Sequence, residues 1–325
     1  MDELLKIKDL HVDFQSGGKY YPAIDGLSLS VGTHEALGIV GESGSGKSVT
    51  SLAVMRLLPE EGCRVSGEIE FEGRDILRLT EKEMESVRGN RIAMIFQEPM
   101  TSLNPVQTCG KQIAESILLH TDATKKEAME RALELLRLCG IPNPEQRMRE
   151  YPHQMSGGMR QRVMIAIALA CDPVLLIADE PTTALDVTIQ AQIMQLLRDI
   201  RAEKDMSVIL ITHDLGIVSD FCDRVAVVYT GEVMEIAPTR KLFSEPLHPY
   251  TEGLINALPQ LGAPKERLST IEGVVPDAGD MPAGCRFNPR CKYATDRCRA
   301  EHPPLTELPD GRCVRCFYAK GVEKA

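Results

Sequence analysis

One stretch limits the fold more than any other: Gly41-Glu42-Ser43-Gly44-Ser45-Gly46-Lys47-Ser48, with two glycines five apart followed by lysine and serine. This is the spacing of a phosphate-binding loop. It follows the apolar run Ala36-Leu37-Gly38-Ile39-Val40 and precedes a helical run from Val49 to Leu58, so its context is strand, loop, helix. Glycines let the backbone curl until successive N–H groups point inward at phosphate oxygens. The positive end of the following helix faces the same anion. The spacing predicts a nucleotide site, with Gly41, Ser43, Gly44, Ser45, Gly46, Lys47, Ser48 and Val49 around the phosphates. Lys47 reaches the β- and γ-phosphates in this reading, and the Ser48 hydroxyl ligates Mg²⁺. An ordinary glycine-rich turn is the plain alternative, and the flanking strand and helix weigh against it.

The bulk of the chain narrows its class. At 325 residues it can hold one large domain and a smaller one. The longest apolar run, Val163 to Cys171, is far short of the roughly 20 residues that a membrane span needs. Met1-Asp2-Glu3 is acidic and no long apolar segment follows, so the expectation is a cytosolic chain without a cleaved signal. A net charge of -10 argues against nucleic acid as a partner of the whole surface. Ten cysteines in a cytosolic chain are expected to stay reduced. Cys63, Cys109, Cys139, Cys171 and Cys222 stand singly and suit inert packing, whereas the other five crowd after residue 284.

At the N-terminus, Leu5, Ile7, Val12 and Phe14, and then Leu27, Leu29 and Val31 after a turn-rich gap, alternate with polar residues. That period of two predicts half-buried antiparallel strands. Tyr20 and Tyr21 lie in the gap, and either could stack on an adenine ring or simply edge a strand. Ile69 and Phe71 suggest a further strand of the same edge, and Arg91 to Phe96 a strand ending at Gln97. From Thr108 to Gly140 two helical patterns follow, one marked by Ile113, Ile117 and Leu118 and one by Met129, Leu133 and Leu136. Gly140 and Pro142 stop the second. The block interrupts a strand–helix alternation and reads as an inserted subdomain.

Met155-Ser156-Gly157-Gly158-Met159-Arg160-Gln161-Arg162 opens an apolar helix. Ser156 is a good N-cap, yet two glycines in a first turn weaken a helix. They make sense where bare N–H groups must approach an anion; a flexible helix start is the alternative. Val174 to Ala178 is wholly apolar, as in a central parallel strand, and ends in Asp179-Glu180. After a phosphate loop, that pair reads as a Mg²⁺-supporting Asp179 and a catalytic Glu180 facing the γ-phosphate, rather than as a helix-capping turn. Thr188 to Lys204 is an amphipathic helix, and Val208 to Ile211 a buried strand carrying His213 at its C-terminal end, where α/β ligands bind. A hairpin of Arg224–Tyr229 with Glu232–Ile236 closes a first domain.

From about Lys241 prolines multiply, excluding long helices. From Met281 on, nine Lys and Arg face five Asp and Glu, so the tail is basic on an acidic chain. The expected domains are residues 1–240 and an extension at 241–325, with the helical subdomain at about 98–165.

These residues, in this order, resemble the nucleotide-binding subunit of an ABC transporter over essentially the whole first domain. The phosphate loop is shared by many NTPases; Ser156-Gly157-Gly158 ahead of Asp179-Glu180 is far more specific. The resemblance implies an α/β, RecA-like P-loop NTPase core with an antiparallel β edge and an inserted helical subdomain, followed by a small irregular cysteine-rich extension. It implies two ATP molecules between head-to-tail domains, each phosphate loop closed by the opposite signature Ser156, Gly157 and Gly158. Tyr21 then stacks on adenine and Gln97 senses the γ-phosphate. Ser48, Gln97 and Asp179 serve Mg²⁺. Glu180 polarises the attacking water, His213 contacts the γ-phosphate, and Asp186 of Ala184-Leu185-Asp186 communicates across the dimer. Met155 and Met159 depart from the usual leucine and glutamine; ATP closure is expected to survive, since Ser156 and the glycine amides make the main contacts.

Gln97 to Pro105 resembles the dipeptide, oligopeptide and nickel importers. His248-Pro249-Tyr250-Thr251, Leu254 and Ala257-Leu258-Pro259 are similar to the extension of the peptide-importing members. Gly284-Cys285, Arg290-Cys291, Arg297-Cys298 and Cys316 resemble the "D" type subunit of the peptide permeases. The implied function is ATP-driven peptide uptake beside a second, related ATPase, two membrane permeases and an extracytoplasmic solute-binding protein, with the chain peripheral on the cytoplasmic face of the inner membrane. Another small solute such as nickel, or a soluble ABC ATPase of DNA repair or translation, are the competing readings. DNA-repair members carry long insertions and translation members two phosphate loops, neither of which is visible here.

Cysteine gaps of five, six, and fourteen or seventeen residues lack the paired two-residue spacing of common zinc ribbons. They suit a cubane cluster, with Arg286, Arg290, Arg297 and Arg315 near enough in sequence to balance its charge. The resemblance implies a 4Fe–4S cluster on Cys285, Cys291, Cys298 and Cys316, with zinc as the alternative occupant. Cys313 is the competing fourth ligand.

Overall fold

The computed structural model describes residues 3–183, 185–258, 270–319 and 321. Ala184 of the Ala184-Leu185-Asp186 stretch, Pro259 of the extension motif, and Met1 and Asp2 lie outside the described residues. In chain order the strands are β1 (Glu3–Ser16), β2 (Lys19–Gly32), β3 (Ala36–Val40), β4 (Cys63–Phe71), β5 (Arg74–Asp75), β6 (Ile92–Ile95), β7 (Leu175–Asp179), β8 (Ser207–Ile211), β9 (Arg224–Tyr229), β10 (Glu232–Pro238), β11 (Thr306–Glu307) and β12 (Cys313–Val314). The chain divides into two units, Met1–Leu77 with Thr212–Ala325, and Arg78–Ile211.

In the first unit β1 pairs antiparallel with β2 and with β4, which turns back into β5, so the edge sheet has the order β2-β1-β4-β5. Leu5 and Ile7 are buried, and so are Leu10 and Val12, a change of parity along one strand. Register shifts between Ile7 and Leu10 and a left-handed Asp9 (φ 48°) account for it, because a bulge re-aims every later side chain. The expected turn-rich gap is much shorter than the sequence suggests. The hairpin turns at Gly17 and Gly18, both at positive φ, and β2 resumes at Lys19, so Tyr20 and Tyr21 are strand residues.

β3 pairs parallel with β9, and β9 forms an antiparallel hairpin with β10. Two short strands of the extension continue this sheet: β12 pairs with β10, with Cys313 opposite Ile236, and β11 pairs with β12. Within the first unit, the extension is thus tied to β10 by backbone hydrogen bonds. Its described helices after residue 270 are no longer than Asp296–Ala300, in keeping with its prolines.

The second unit carries the parallel strands β6, β7 and β8, with β7 between the other two. β7 and β8 are buried at every position, which is why they read as continuous apolar runs. Two helices, Cys109–His120 and Lys125–Leu138, stand where the patterns predict them, but Leu118 and Met129 are exposed. The buried face of the second helix is Ala128, Ala132, Leu135 and Leu136 rather than the one marked by Met129 and Leu133. Thr124 and Glu127 form a reciprocal capping box that starts the second, and Gly140 (φ 68°) ends it. No helix among the described residues is long and apolar enough to cross a membrane.

Candidate functional site

β3 feeds the phosphate loop, and the helix Lys47–Val54 leaves it, shorter than the run to Leu58 because Arg56 turns left-handed (φ 50°). Two glycines of the loop are sterically required. A Cβ on Gly41 would lie 2.1 Å from the Val228 carbonyl oxygen, and one on Gly46 (φ 96°) would lie 2.8 Å from that of Ala23. The loop is therefore pressed against β2 and β9, leaving its inner side for an anion. Lys47 is buried at 6 % exposure, and its Nζ donates to the carbonyl oxygens of Gly41 (2.9 Å) and Glu42 (2.8 Å). A buried ammonium beside the first turn of a helix makes the loop strongly anion-seeking. Ser43 and Gly44 are exposed, Ser45 and Gly46 are buried, and Ser48 and Val49 are half-buried at the helix start.

The two tyrosines separate clearly. The Arg64 guanidinium lies 3.6 Å over the Tyr20 ring, so that face is taken. Tyr21 instead lines a cavity of about 490 Å³ with Phe14, Gly44, Thr230 and the extension residues Pro276 and Gly279. A Cβ on Gly279 would lie 3.1 Å from Tyr21 Cε1, so the extension packs directly against this ring. His213 is exposed and follows Thr212, whose N–H donates to the Ile39 carbonyl of β3 at 3.3 Å. Asp214 then caps the helix Leu215–Phe221.

In the second unit, Asp179 is the buried last residue of β7. Glu180 follows in the left-handed region (φ 45°), and its N–H donates to the Ile211 carbonyl at 2.8 Å. Gln97 Nε2 donates to Glu180 Oε2 at 3.1 Å, and Thr183 Oγ1 donates to the same oxygen at 2.7 Å. Gln97, Asp179 and Glu180 thus occupy neighbouring strand ends of one parallel sheet. Asp186 is exposed and caps the helix Val187–Lys204 through its Oδ1, which accepts from Ile189 N at 3.0 Å.

Cys285, Cys291, Cys298 and Cys316 line one cavity of about 420 Å³ with Leu247, His248, Phe287 and Phe317. Cys313 is not among its walls. Burial raises the Cys285 thiol to about 11, and raises Cys291 and Cys316 as well. Among the described residues, no three His, Cys, Asp or Glu side chains converge closely enough to hold a metal ion. The nearby arginines are committed elsewhere than the sequence suggests. Arg286 pairs with Asp25 and with Glu232 at 3.1 Å, Arg290 with Glu42 at 2.6 Å, and Arg297 with Glu301 at 2.9 Å while its guanidinium lies over Phe317. Arg315 donates to the Val233 and Pro303 carbonyls.

The family profile described as "ABC transporter" matches residues 24–183 and that described as "Oligopeptide/dipeptide transporter, C-terminal region" matches residues 234–298. The chain is 51% identical to the oligopeptide transport ATP-binding protein AppD of Bacillus subtilis over 100% of both chains. The chain belongs to the ABC transporter ATP-binding family. It is also 51% identical to the dipeptide transport ATP-binding protein DppD of Escherichia coli, over 97% of this chain and 96% of that one. A dimeric post-hydrolysis structure of the ATP-binding cassette MJ0796 with ADP and Pi overlays with a TM-score of 0.66 at 29% identity, covering 73% of this chain and 99% of that one. The cbiO1 subunit of the Clostridium perfringens cbiONQ complex gives 0.63 at 28% identity, covering 75% and 92%. An ABC-family cassette is an ATPase, and the fold described above is that cassette.

For the ABC signature, Ser156 Oγ accepts from Met159 N at 3.4 Å and caps the helix Gly157–Ala168. Gly157 is exposed, and a Cβ there would meet Leu185 at an ordinary 3.8 Å, whereas a Cβ on Gly158 would press to 2.9 Å from Ile189. Packing thus explains the second glycine apart from any anion. Met155 is buried, with its Sδ 3.7 Å from Cys109 Sγ, so this departure from leucine is a core residue. Sequence reasoning missed Thr183, which holds Glu180, and Glu42, Tyr250 and Arg290, which meet in the first unit. Thr183 sits within the loop after the acidic pair, a signal that could have been used. The other three stand out in sequence only as members of separate motifs, and their meeting across up to 248 residues had no local signal.

Proposed function

We propose that this chain is the ATP-hydrolysing subunit of an importer for dipeptides and oligopeptides. The observation that carries the peptide assignment is the match of residues 234–298 to the C-terminal region of oligopeptide and dipeptide transporters. In this reading the chain pairs head to tail with a second, related ATPase and docks on two permeases, supplied by an extracytoplasmic binding protein. It works peripherally at the cytoplasmic face of the membrane. Residues 1–240 form the ATPase domain, with its helical subdomain at about 98–165, and 241–325 the extension.

Tyr21 stacks on adenine, and the loop from Gly41 to Val49 holds the phosphates, with Lys47 neutralising them. Ser48, Gln97 and Asp179 hold Mg²⁺, which supplies charge neutralisation at the β- and γ-phosphates when bound. Glu180 takes a proton from the attacking water, held by Gln97 and Thr183. His213 contacts the γ-phosphate. Ser156, Gly157 and Gly158 close the partner's nucleotide, and Asp186 relays between the two sites.

Cys285, Cys291, Cys298 and Cys316 hold a 4Fe–4S cluster in this reading, with Cys313 a bystander in β12. What supports this set of four is that these cysteines, and not Cys313, line one cavity, and thiolates are the donors such a cluster takes. When bound, a cluster would supply an iron–thiolate cross-link between three loop positions and the helix Asp296–Ala300.

Tagging the chain and purifying it from membranes tests the assignment. Two permeases and a second ATPase should copurify; ribosomes or DNA in their place would refute it.

A further inference from the structure

Glu42, the second residue of the phosphate loop, is gripped by the C-terminal extension. Arg290 places its fork on the Glu42 carboxylate, Nη1 to Oε2 at 2.6 Å and Nη2 to Oε1 at 3.0 Å. This Arg290 side chain is only 3 % exposed, and its Nε also donates to the Glu272 carbonyl at 3.1 Å. A two-point, charge-assisted pair of this kind fixes direction as well as distance. The Glu42 backbone N–H is committed too, donating to the Tyr250 hydroxyl at 2.9 Å. Tyr250 itself is fully buried and packs on Tyr229 and Phe287 at ring centroid separations of 4.7 and 5.3 Å. The remaining polar group of Glu42, its carbonyl oxygen, accepts from Lys47 Nζ at 2.8 Å.

One residue of the loop is thus fixed at its side chain and amide by the extension, and at its carbonyl touches the phosphate-binding lysine. We infer that Arg290 and Tyr250 are positioning residues for the phosphate loop, acting through Glu42, so that affinity for MgATP depends on the cysteine-rich extension. Arg290 directly precedes Cys291, so the grip is anchored at the wall of the cysteine cavity. The inference rests on ATP binding at the phosphate loop and does not depend on what the cysteines hold.

Titration of the purified full-length chain with MgATP, by calorimetry, tests it. Arg290→Ala should raise the Kd about tenfold, the size of one charge-assisted hydrogen bond. Arg290→Lys, which keeps the charge without the fork, should lie between Ala and the natural residue. Glu42→Gln should weaken binding similarly, and the double variant should be no weaker than either single one, because both break the same pair. A merely structural Arg290 would give losses that multiply instead. Should Arg290→Ala fail to fold, Tyr250→Phe keeps the ring and deletes only the acceptor of the Glu42 amide, and should raise the Kd about threefold. A Kd within about twofold of the natural chain in the folded variants, or multiplying losses in the double variant, overturns the inference. Failure of the natural chain itself to bind MgATP would instead strike the functional reading.

Discussion

Gln97 donates its side-chain amide to the carboxylate of Glu180 at 3.1 Å, and Thr183 holds the same oxygen from the other side of the turn. Two neutral donors on one oxygen fix the carboxylate's orientation. Replacing Glu180 by Gln keeps the size and removes the base. ATP binding should survive while turnover falls by roughly 10² to 10⁴, the usual contribution of a positioned acid–base group. Single-turnover hydrolysis in the assembled complex measures this, and near-normal turnover would reassign the base. Thr183→Val should lose less, because Gln97 remains.

The chain alone is expected to be a poor ATPase. Its exposed Ser156 and Gly157 are at the start of a helix and serve a nucleotide held by a partner in the proposed pairing. Steady-state hydrolysis should rise steeply when the related ATPase and permeases are added. Full activity in a dilute preparation shown to be monomeric would contradict composite sites.

The cysteines divide by position. Cys316 lines the cavity, whereas Cys313 pairs with Ile236 in a strand. Chain purified without oxygen should be brown and carry about four iron atoms, the content of a cubane cluster. Cys316→Ser should lose the colour and Cys313→Ser keep it. Colourless protein with one equivalent of zinc would exclude the cluster, and the reverse mutant pattern would change only the fourth ligand.

Acid should loosen the extension through His248. Burial lowers this imidazole from 6.5 to about 3, and its Nδ1 accepts from Tyr250 N at 3.0 Å. Below pH 6.5 the unfolded chain takes up a proton that the folded chain refuses until about pH 3. Stability is therefore lost as pH falls through that window, at up to about 1.4 kcal/mol per pH unit for this group. Buried Glu235, which accepts from the His248 N–H at 2.9 Å, has a raised pKa and works the other way. The informative quantity is thus the difference between the natural chain and His248→Asn, whose amide can still cap the helix. The natural chain should lose more melting temperature than the variant between pH 7 and 5. Equal losses would show that His248 titrates normally.

Much of this was legible in the residues because the physics is local. A phosphate loop needs fixed glycine spacing, and Gly41 and Gly46 stand where any Cβ would strike backbone. The buried strands β7 and β8 announced themselves as unbroken apolar runs. What was not legible depends on distant partners. The parity change in β1 needs a bulge that Gly67 permits by lying against Asp9, more than fifty residues away in sequence. The packing demand that Ile189 also places on Gly158 was invisible for the same reason. The arginines among the cysteines read as counter-charges to a cluster, yet Arg286 and Arg290 were spent on Asp25, Glu232 and Glu42. Composition places such charges near one another without saying which carboxylate wins each.

ATP-driven peptide uptake tests the central claim most directly. The complex that copurifies with this chain is to be reconstituted in vesicles with its binding protein, MgATP on the side of this chain, and a labelled dipeptide or tetrapeptide outside. The account predicts accumulation that requires ATP, is abolished by Glu180→Gln, and is unaffected by excess nickel. ATP turnover without peptide accumulation, or accumulation of nickel in its place, would contradict it.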